Sequence, residues 1–352
     1  MISRENNFDL IRLFAAFQVL FGHGLAHLKI SDKFLIANVF DFFPGVLMFF
    51  TVSGFLIFSS FDRNNNLKKY FYNRFLRLFP ALWLCFIVTL LLLFIFRIIS
   101  ITDFFSGTIL KWSLTQITIF QFWTPDILRS WGVGSPNGSL WTIPVELQFY
   151  ILLPIVVLLF KKIKLIYKFL FLSICSVLFN VYLSNFIGEG ENLITKLASL
   201  SLLPYLYCFL AGSIMYMFWE KIRKVIEGKA LFWLFIFIAF CLFTGKSPSY
   251  FPHNIQIISN LLLSILTISL AFTLPKLGKL LKGNDISYGM YIYHMLVINS
   301  LVALGYVGNI KYLFLAIALT TIFSCLSWFF VERKALSLKN LKNENYLTAK
   351  QK

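Results

Sequence analysis

Charge is scarce in this chain. Of its 352 residues, 13% are Asp, Glu, Lys or Arg, where a soluble domain would carry about a quarter. That shortage, spread from end to end, excludes an ordinary water-soluble fold. A cysteine framework is also missing. Cys85, Cys175, Cys208, Cys241 and Cys325 are odd in number, form no C-x-x-C pair and fall within apolar runs. They read as small buried hydrophobes, with no disulfide or metal cluster. No small-residue cleavage site of the A-x-A type follows the first apolar run, and that run carries Asp9 and Arg12, so it is not a removable signal peptide. No separate soluble domain and no usable internal repeat is visible.

What is present is hydrophobic: 59% of the residues, 42 of them Phe. Apolar runs near 20 residues recur, which predicts an all-α, polytopic transmembrane bundle. Ten spans are expected, near 8–28, 40–60, 79–99, 140–160, 169–186, 198–218, 230–244, 254–274, 286–305 and 311–331, the seventh being the shortest. With both termini in the cytoplasm, the inner segments hold 23 of the 32 Lys and Arg and the outer loops 7, the asymmetry that sets membrane orientation. The net charge of +17 is thus spent on topology, and nucleic acid is not an expected partner. Residues 1–335 form the membrane domain and 336–352 a basic, disordered cytoplasmic tail. The external connection 100–139, rich in Trp, Pro and Gly, reads as an ordered or re-entrant loop.

Ionisable groups inside spans cost about 2.5–3.5 kcal/mol each on insertion scales and mark function by default. Arg12 and His23 in FDLIRLFAAFQVLFGHGLAHL are eleven residues apart, close to three turns, so they share a face about 16 Å apart along the axis. Asp9 is spaced to pair with Arg12. A snorkelling arginine and a hydrogen-bonded histidine are the structural alternative. Gly22 and Gly24 leave room beside His23 for a substrate or another backbone. His27 continues the stripe at i+4, a spacing that also suits a metal, but nothing completes such a site.

Glu146, in GSLWTIPVELQFYILLP, falls about 10 Å inside the outer edge, a depth comparable to that of His23. An acid–base or base–orienter pair is one reading, a structural ion partner the other. Trp141 and Tyr150 flank it. Ser287, Tyr291 and His294 in ISYGMYIYHMLVINS recur at i, i+4 and i+7 on one face and predict a polar pocket or pore lining. By helical rise His294 lies about 12 Å from the inner edge, nearer the cytoplasm than His23. Ser53-Gly54 permits close helix packing or lines a site. Arg74 and Arg77, with Lys68, Lys69 and Arg63 nearby, are topology anchors or a phosphate clamp.

Taken in order, R-x10-H (Arg12, His23), SGFLI (Ser53 to Ile57), R-x-x-R (Arg74, Arg77), SLWTIPVELQFY (Ser139 to Tyr150) and SYGMYIYH (Ser287 to His294) resemble the membrane-bound acyltransferase-3 family over about residues 5–335. The resemblance implies transfer of an acyl group, most often acetyl, from cytoplasmic acetyl-CoA to a hydroxyl of a surface glycan across a bacterial inner membrane. Acetyl-CoA is a co-substrate, and no bound cofactor or metal is expected. The acceptor would be a surface glycan or lipid-linked oligosaccharide such as O-antigen. Some members carry a C-terminal extracytoplasmic hydrolase-like domain; the expectation here is a chain that acts alone or hands acyl groups to a separate protein. His23, Arg12 and Glu146 are then the expected catalytic residues. Arg74, Arg77, Ser53 and His294 would hold the acyl donor, and Asp9, Ser287, Tyr291, Trp141 and Tyr150 would support them. A glycan exporter or flippase, with the polar stripe as a path, and a non-catalytic partner of a surface-modifying complex are the alternatives.

Overall fold

The computed structural model describes residues 6–339 except 31–34, 64–65, 160, 187–196, 251, 253, 274–276, 278–280 and 282, and among these it contains helices and no strand. The principal helices are α1 (Phe8–His27), α2 (Gly45–Arg63), α3 (Leu67–Ile95), α4 (Thr142–Leu158), α5 (Leu165–Phe186), α6 (Leu206–Met217), α7 (Trp219–Ile226), α8 (Ala230–Thr244), α9 (Asn254–Ala271), α10 (Ser287–Ala303) and α11 (Ile310–Ser327). Each of the ten expected segments contains a helix, but fewer are of spanning length. Among the described residues seven helices are long and apolar enough to cross a membrane, or eight if α7 and α8, bent by 78° at their junction, count together. The shortfall is one of length: α6 has 12 residues and α10 has 17, or roughly 18 and 25 Å of rise, against a hydrocarbon core of about 30 Å.

Boundaries also move. The third span was expected from residue 79, yet α3 begins at Leu67, capped by the Asn66 side chain, which accepts from the Lys69 amide at 3.0 Å. Hydropathy marks where a helix enters lipid, whereas the cap marks where the helix starts. The R-x-x-R pair therefore lies inside α3, not on a connection before it. At the other end the chain continues from α11 through a π-turn, Trp328–Glu332, into helix as far as residue 339. Most of the expected disordered tail, 340–352, lies outside the described residues.

Contacts divide the chain into two compact units. One comprises Met1–Val19, Lys33–Asn65 and Thr142–Gly283; the other comprises Leu20–Asp32, Asn66–Trp141 and Asn284–Lys352. The helix α1 is continuous and belongs to both.

In the first unit α2 and α6 cross at a pair of glycines. A Cβ on Gly54 would overlap the Phe209 carbonyl, and one on Gly212 the Thr51 carbonyl. Close backbone approach of this kind is what small residues supply in lipid, where no hydrophobic force drives helices together. Phe209 then stacks between Phe50 and Phe149, with ring centroids 4.6 and 4.2 Å away. Gln18 of α1 accepts from the Gly45 amide at 2.7 Å, satisfying an orphan donor at the start of α2. By contrast α8 is apolar all round and turns large side chains outward; Phe243 is 91% and Phe235 74% exposed, as lipid contact allows.

In the second unit α10 is central. Fourteen of its seventeen residues are buried, so its polar side chains must find partners within the protein. Gly289 packs against Ser324 of α11, and Gly24 of α1 against Leu313. Asn299 ties down the 100–139 connection: it accepts from the Val133 amide at 2.9 Å and donates to the Ser135 and Pro136 carbonyls at 2.8 and 2.9 Å. Gly132 adopts φ +59° directly against that Asn299 side chain. The 100–139 connection is therefore ordered, as its composition predicts.

Candidate active site

Two clusters of chemically capable side chains emerge, one in each unit. In the second unit His23, near the end of α1, meets His294 in the middle of α10. His23 Nδ1 and His294 Nε2 are 2.9 Å apart, and His294 Nδ1 lies 2.6 Å from the Tyr291 carbonyl oxygen. A carbonyl can only accept, so His294 Nδ1 carries a proton. With both rings neutral, His294 Nε2 is then the acceptor, His23 Nδ1 the donor, and the lone pair of His23 rests on Nε2. His294 is fully buried while His23 is half-buried. Beside His23, Gly22 is exposed with open space where a Cβ would stand. The His27 ring is 5.5 Å from that of His23.

This pairing was not legible from depth along each helix, which put His294 nearer the cytoplasm than His23. Helical rise locates a residue only on its own axis; packing decides where one axis starts relative to the next. The surroundings of His294 are polar and closed. The Tyr291 hydroxyl donates to the Ser139 carbonyl at 2.9 Å. Asn137 Nδ2 donates to the Ile292 carbonyl at 2.7 Å, and Ser139 Oγ donates to Asn137 Oδ1 at 2.8 Å. Ser287 donates to Asp285 instead of facing a pocket with Tyr291 and His294. All three members of the i, i+4, i+7 set are buried and hydrogen-bonded.

At the start of α10, Asp285 pairs with Arg77 at 2.6 Å, with 6% of the Asp285 and 18% of the Arg77 side chain exposed. The carboxylate also accepts from the Ser287 amide at 3.2 Å, a favourable place for negative charge at a helix N-terminus. Arg77 thus has a built-in anion. Arg74, one turn earlier, lies 5.8 Å from the Tyr70 ring centroid, with Lys68 exposed on the same helix. Asp285, Asn137 and Asn299 were missed in the sequence. The asparagine within the apolar HMLVINS run was the available signal for Asn299, because a buried amide in lipid needs several partners.

In the first unit Glu146 of α4 accepts at one oxygen, Oε1, from Ser53 Oγ at 3.0 Å and from Tyr150 Oη at 2.6 Å. The expected acid–base partner His23 is bonded to His294 instead. Arg12 and Asp9 form the i, i+3 ion pair that their spacing predicts. Trp141 ends the 3-10 turn Gly138–Trp141, which belongs to the second unit. Among the described residues no group of three or more His, Cys, Asp or Glu has metal-binding geometry.

Comparison with known proteins gives these clusters a context. The acyltransferase-domain model of the acyltransferase-3 family matches residues 5–329. The chain is 32% identical over 350 residues to nodulation protein 10 of Rhizobium leguminosarum bv. viciae, covering 95% of this chain and 94% of that one. It is 28% identical to an O-acetyl transferase of Shigella phage Sf6, over 96% and 98% of the two chains. A 126-residue stretch, 34% of this chain and 20% of the other, is 29% identical to peptidoglycan O-acetyltransferase OatA of Listeria monocytogenes. No solved structure matches. The chain belongs to the acyltransferase-3 family and is a membrane-bound acyltransferase.

Proposed function

We propose that this enzyme transfers an acetyl group from cytoplasmic acetyl-CoA to a hydroxyl of an extracytoplasmic surface glycan, with His23 as the general base. The observation that carries the reading is the His23–His294 hydrogen bond. It leaves a lone pair on Nε2 of a half-buried His23 whose chain neighbour Gly22 is exposed; in the proposal a sugar hydroxyl approaches that nitrogen. In the reaction His23 Nε2 takes the hydroxyl proton, the hydroxyl oxygen bonds to the acyl carbonyl carbon, and the bond from that carbon to its carrier, the CoA sulfur or an acyl relay derived from it, breaks, the departing group taking up a proton. His294 acts on His23, fixing its tautomer and orientation as the orienting member of a triad does. That role replaces the donor-binding role expected for His294.

The printed names of two relatives, an O-acetyl transferase and a peptidoglycan O-acetyltransferase, support an acetyl group and a glycan hydroxyl. A lipopolysaccharide or lipid-linked glycan is the acceptor class favoured here. Ten spans with both termini inside a bacterial inner membrane remain part of the proposal, supported by the Lys and Arg asymmetry. Arg74, with Lys68 and Lys69, is the proposed contact for the phosphates of the donor, since the Asp285 carboxylate already occupies Arg77.

Membranes from expressing and non-expressing cells, supplied with acetyl-labelled CoA, test the activity. Label in an external glycan, released by mild base, is the expected result. Glycan translocation without label would instead establish the flippase reading.

A further inference from the structure

The contact between Ser53, expected to hold the donor, and Glu146, expected to be catalytic beside His23, has no chemistry assigned to it. Ser and Thr side chains in buried helices ordinarily donate to the carbonyl one turn back. Thr51, Thr89, Ser173, Ser213, Ser264 and Thr267 all do so here, at 2.7–3.1 Å. Ser53 does not; its hydroxyl donates to Glu146 Oε1 at 3.0 Å. That oxygen also accepts from Tyr150 Oη, one turn along the same helix. An oxygen receiving two O–H donors is held in a single orientation as an acceptor. The serine is fixed as well. Its neighbour Gly54 is wedged against the Phe209 carbonyl, and the Gly54 carbonyl accepts from Ser213 Oγ at 3.0 Å. Ser53 and Glu146 are both half-buried, so neither is sealed in the packed interior. A hydroxyl hydrogen-bonded to a positioned base is the signature of an activated nucleophile.

We propose that Ser53 is a covalent relay: it accepts the acyl group from the thioester, with Glu146 as its general base, before the group passes to the glycan. This inference rests on the acetyl-transfer reading above. In the first half-reaction the Ser53 Oγ–carbonyl bond forms and the thioester C–S bond breaks. The serine proton moves to the Glu146 carboxylate and from there to the departing thiolate. In the second half the acceptor hydroxyl attacks the serine ester, the C–Oγ bond breaks, and Ser53 regains a proton equal to the one the acceptor loses. A relay divides one transfer across a membrane into two shorter ones.

The test uses the full chain in lipid nanodiscs with labelled acetyl-CoA and no acceptor, so that an intermediate cannot discharge, alongside parallel samples containing the glycan acceptor. Wild type should gain one acetyl group on the peptide containing Ser53, and adding acceptor should chase it off. S53A should gain none, S53C should gain a thioester cleaved by neutral hydroxylamine, and E146Q should form the ester about 100-fold more slowly, the usual size of a general-base effect. Thermal stability of S53C near wild type would show that the site folds. Glycan acetylation with no acetyl-Ser53, with the label on a different residue, or at a wild-type rate in S53A would overturn the relay while leaving the activity standing. Absence of both the acetyl-enzyme and glycan acetylation would overturn the activity, and the relay with it.

Discussion

At the scale of single residues, the account turns on which nitrogen of His23 is basic. The Tyr291 carbonyl fixes one proton on His294, and His294 in turn fixes one on His23. A side chain that restores the acceptor should therefore restore part of the activity. Gln can place its amide oxygen near the position of His294 Nε2, whereas Ala cannot. We expect kcat to fall by about 100-fold in H294A, within the range of misoriented bases, with at least a tenfold recovery in H294Q and little change in KM in either. Steady-state kinetics on protein in nanodiscs would check this; equal loss in both variants would reduce His294 to a packing residue. The contrast between the two histidines also shows what one-dimensional reading delivers. Asp9 and Arg12 were paired correctly because i, i+3 neighbours meet on any helix. The His23–His294 pair joins positions 271 residues apart, and no local spacing encodes that meeting.

At the scale of helices, position was legible and termini were not. Hydropathy put a helix in each of the ten expected segments, but seven or eight helices among the described residues are of spanning length. It could not locate the caps at Asn66 and Asn309, which are polar events outside the run. The Ser53-Gly54 motif carried two readings in the sequence, packing or site lining; the fold shows packing at Gly54, and site lining by Ser53 is part of the proposal above. Gly54 makes the α2–α6 crossing, and Ser53 faces Glu146. Substituting Ala at Gly54 or Gly212 puts a Cβ onto backbone carbonyl oxygen, which cannot rotate away. Overpacking of this sort costs roughly 1–3 kcal/mol or more, so G54A and G212A should each lower the unfolding midpoint in detergent by several degrees. Gly107 has open space around it, and G107A should leave the midpoint within about a degree, since Ala is the better helix former. If all three variants melted together, the close crossing would be wrong. N299A, which frees Val133 N–H, Ser135 C=O and Pro136 C=O, should expose the 132–137 loop to protease added from outside.

At the scale of the whole molecule, composition announced a polytopic membrane protein, and the distribution of positive charge predicts which loops face the cytoplasm. In a cysteine-free background, K162C, in the connection before α5, should react with a membrane-impermeant maleimide only in inverted vesicles. T102C, in the external connection, should react only in right-side-out cells. The opposite pattern would invert the topology and move the donor to the wrong side. Direction of transfer is the central claim, and one measurement bears on it most directly. Proteoliposomes are loaded with acceptor glycan inside and given labelled acetyl-CoA outside, with the protein inserted so that its α3 basic face points outward. The account predicts base-labile label on the enclosed glycan with wild type and a loss of at least 100-fold with H23A, consistent with removal of a general base. Undiminished labelling by H23A, or label only on glycan placed on the same side as the acetyl-CoA, would contradict it.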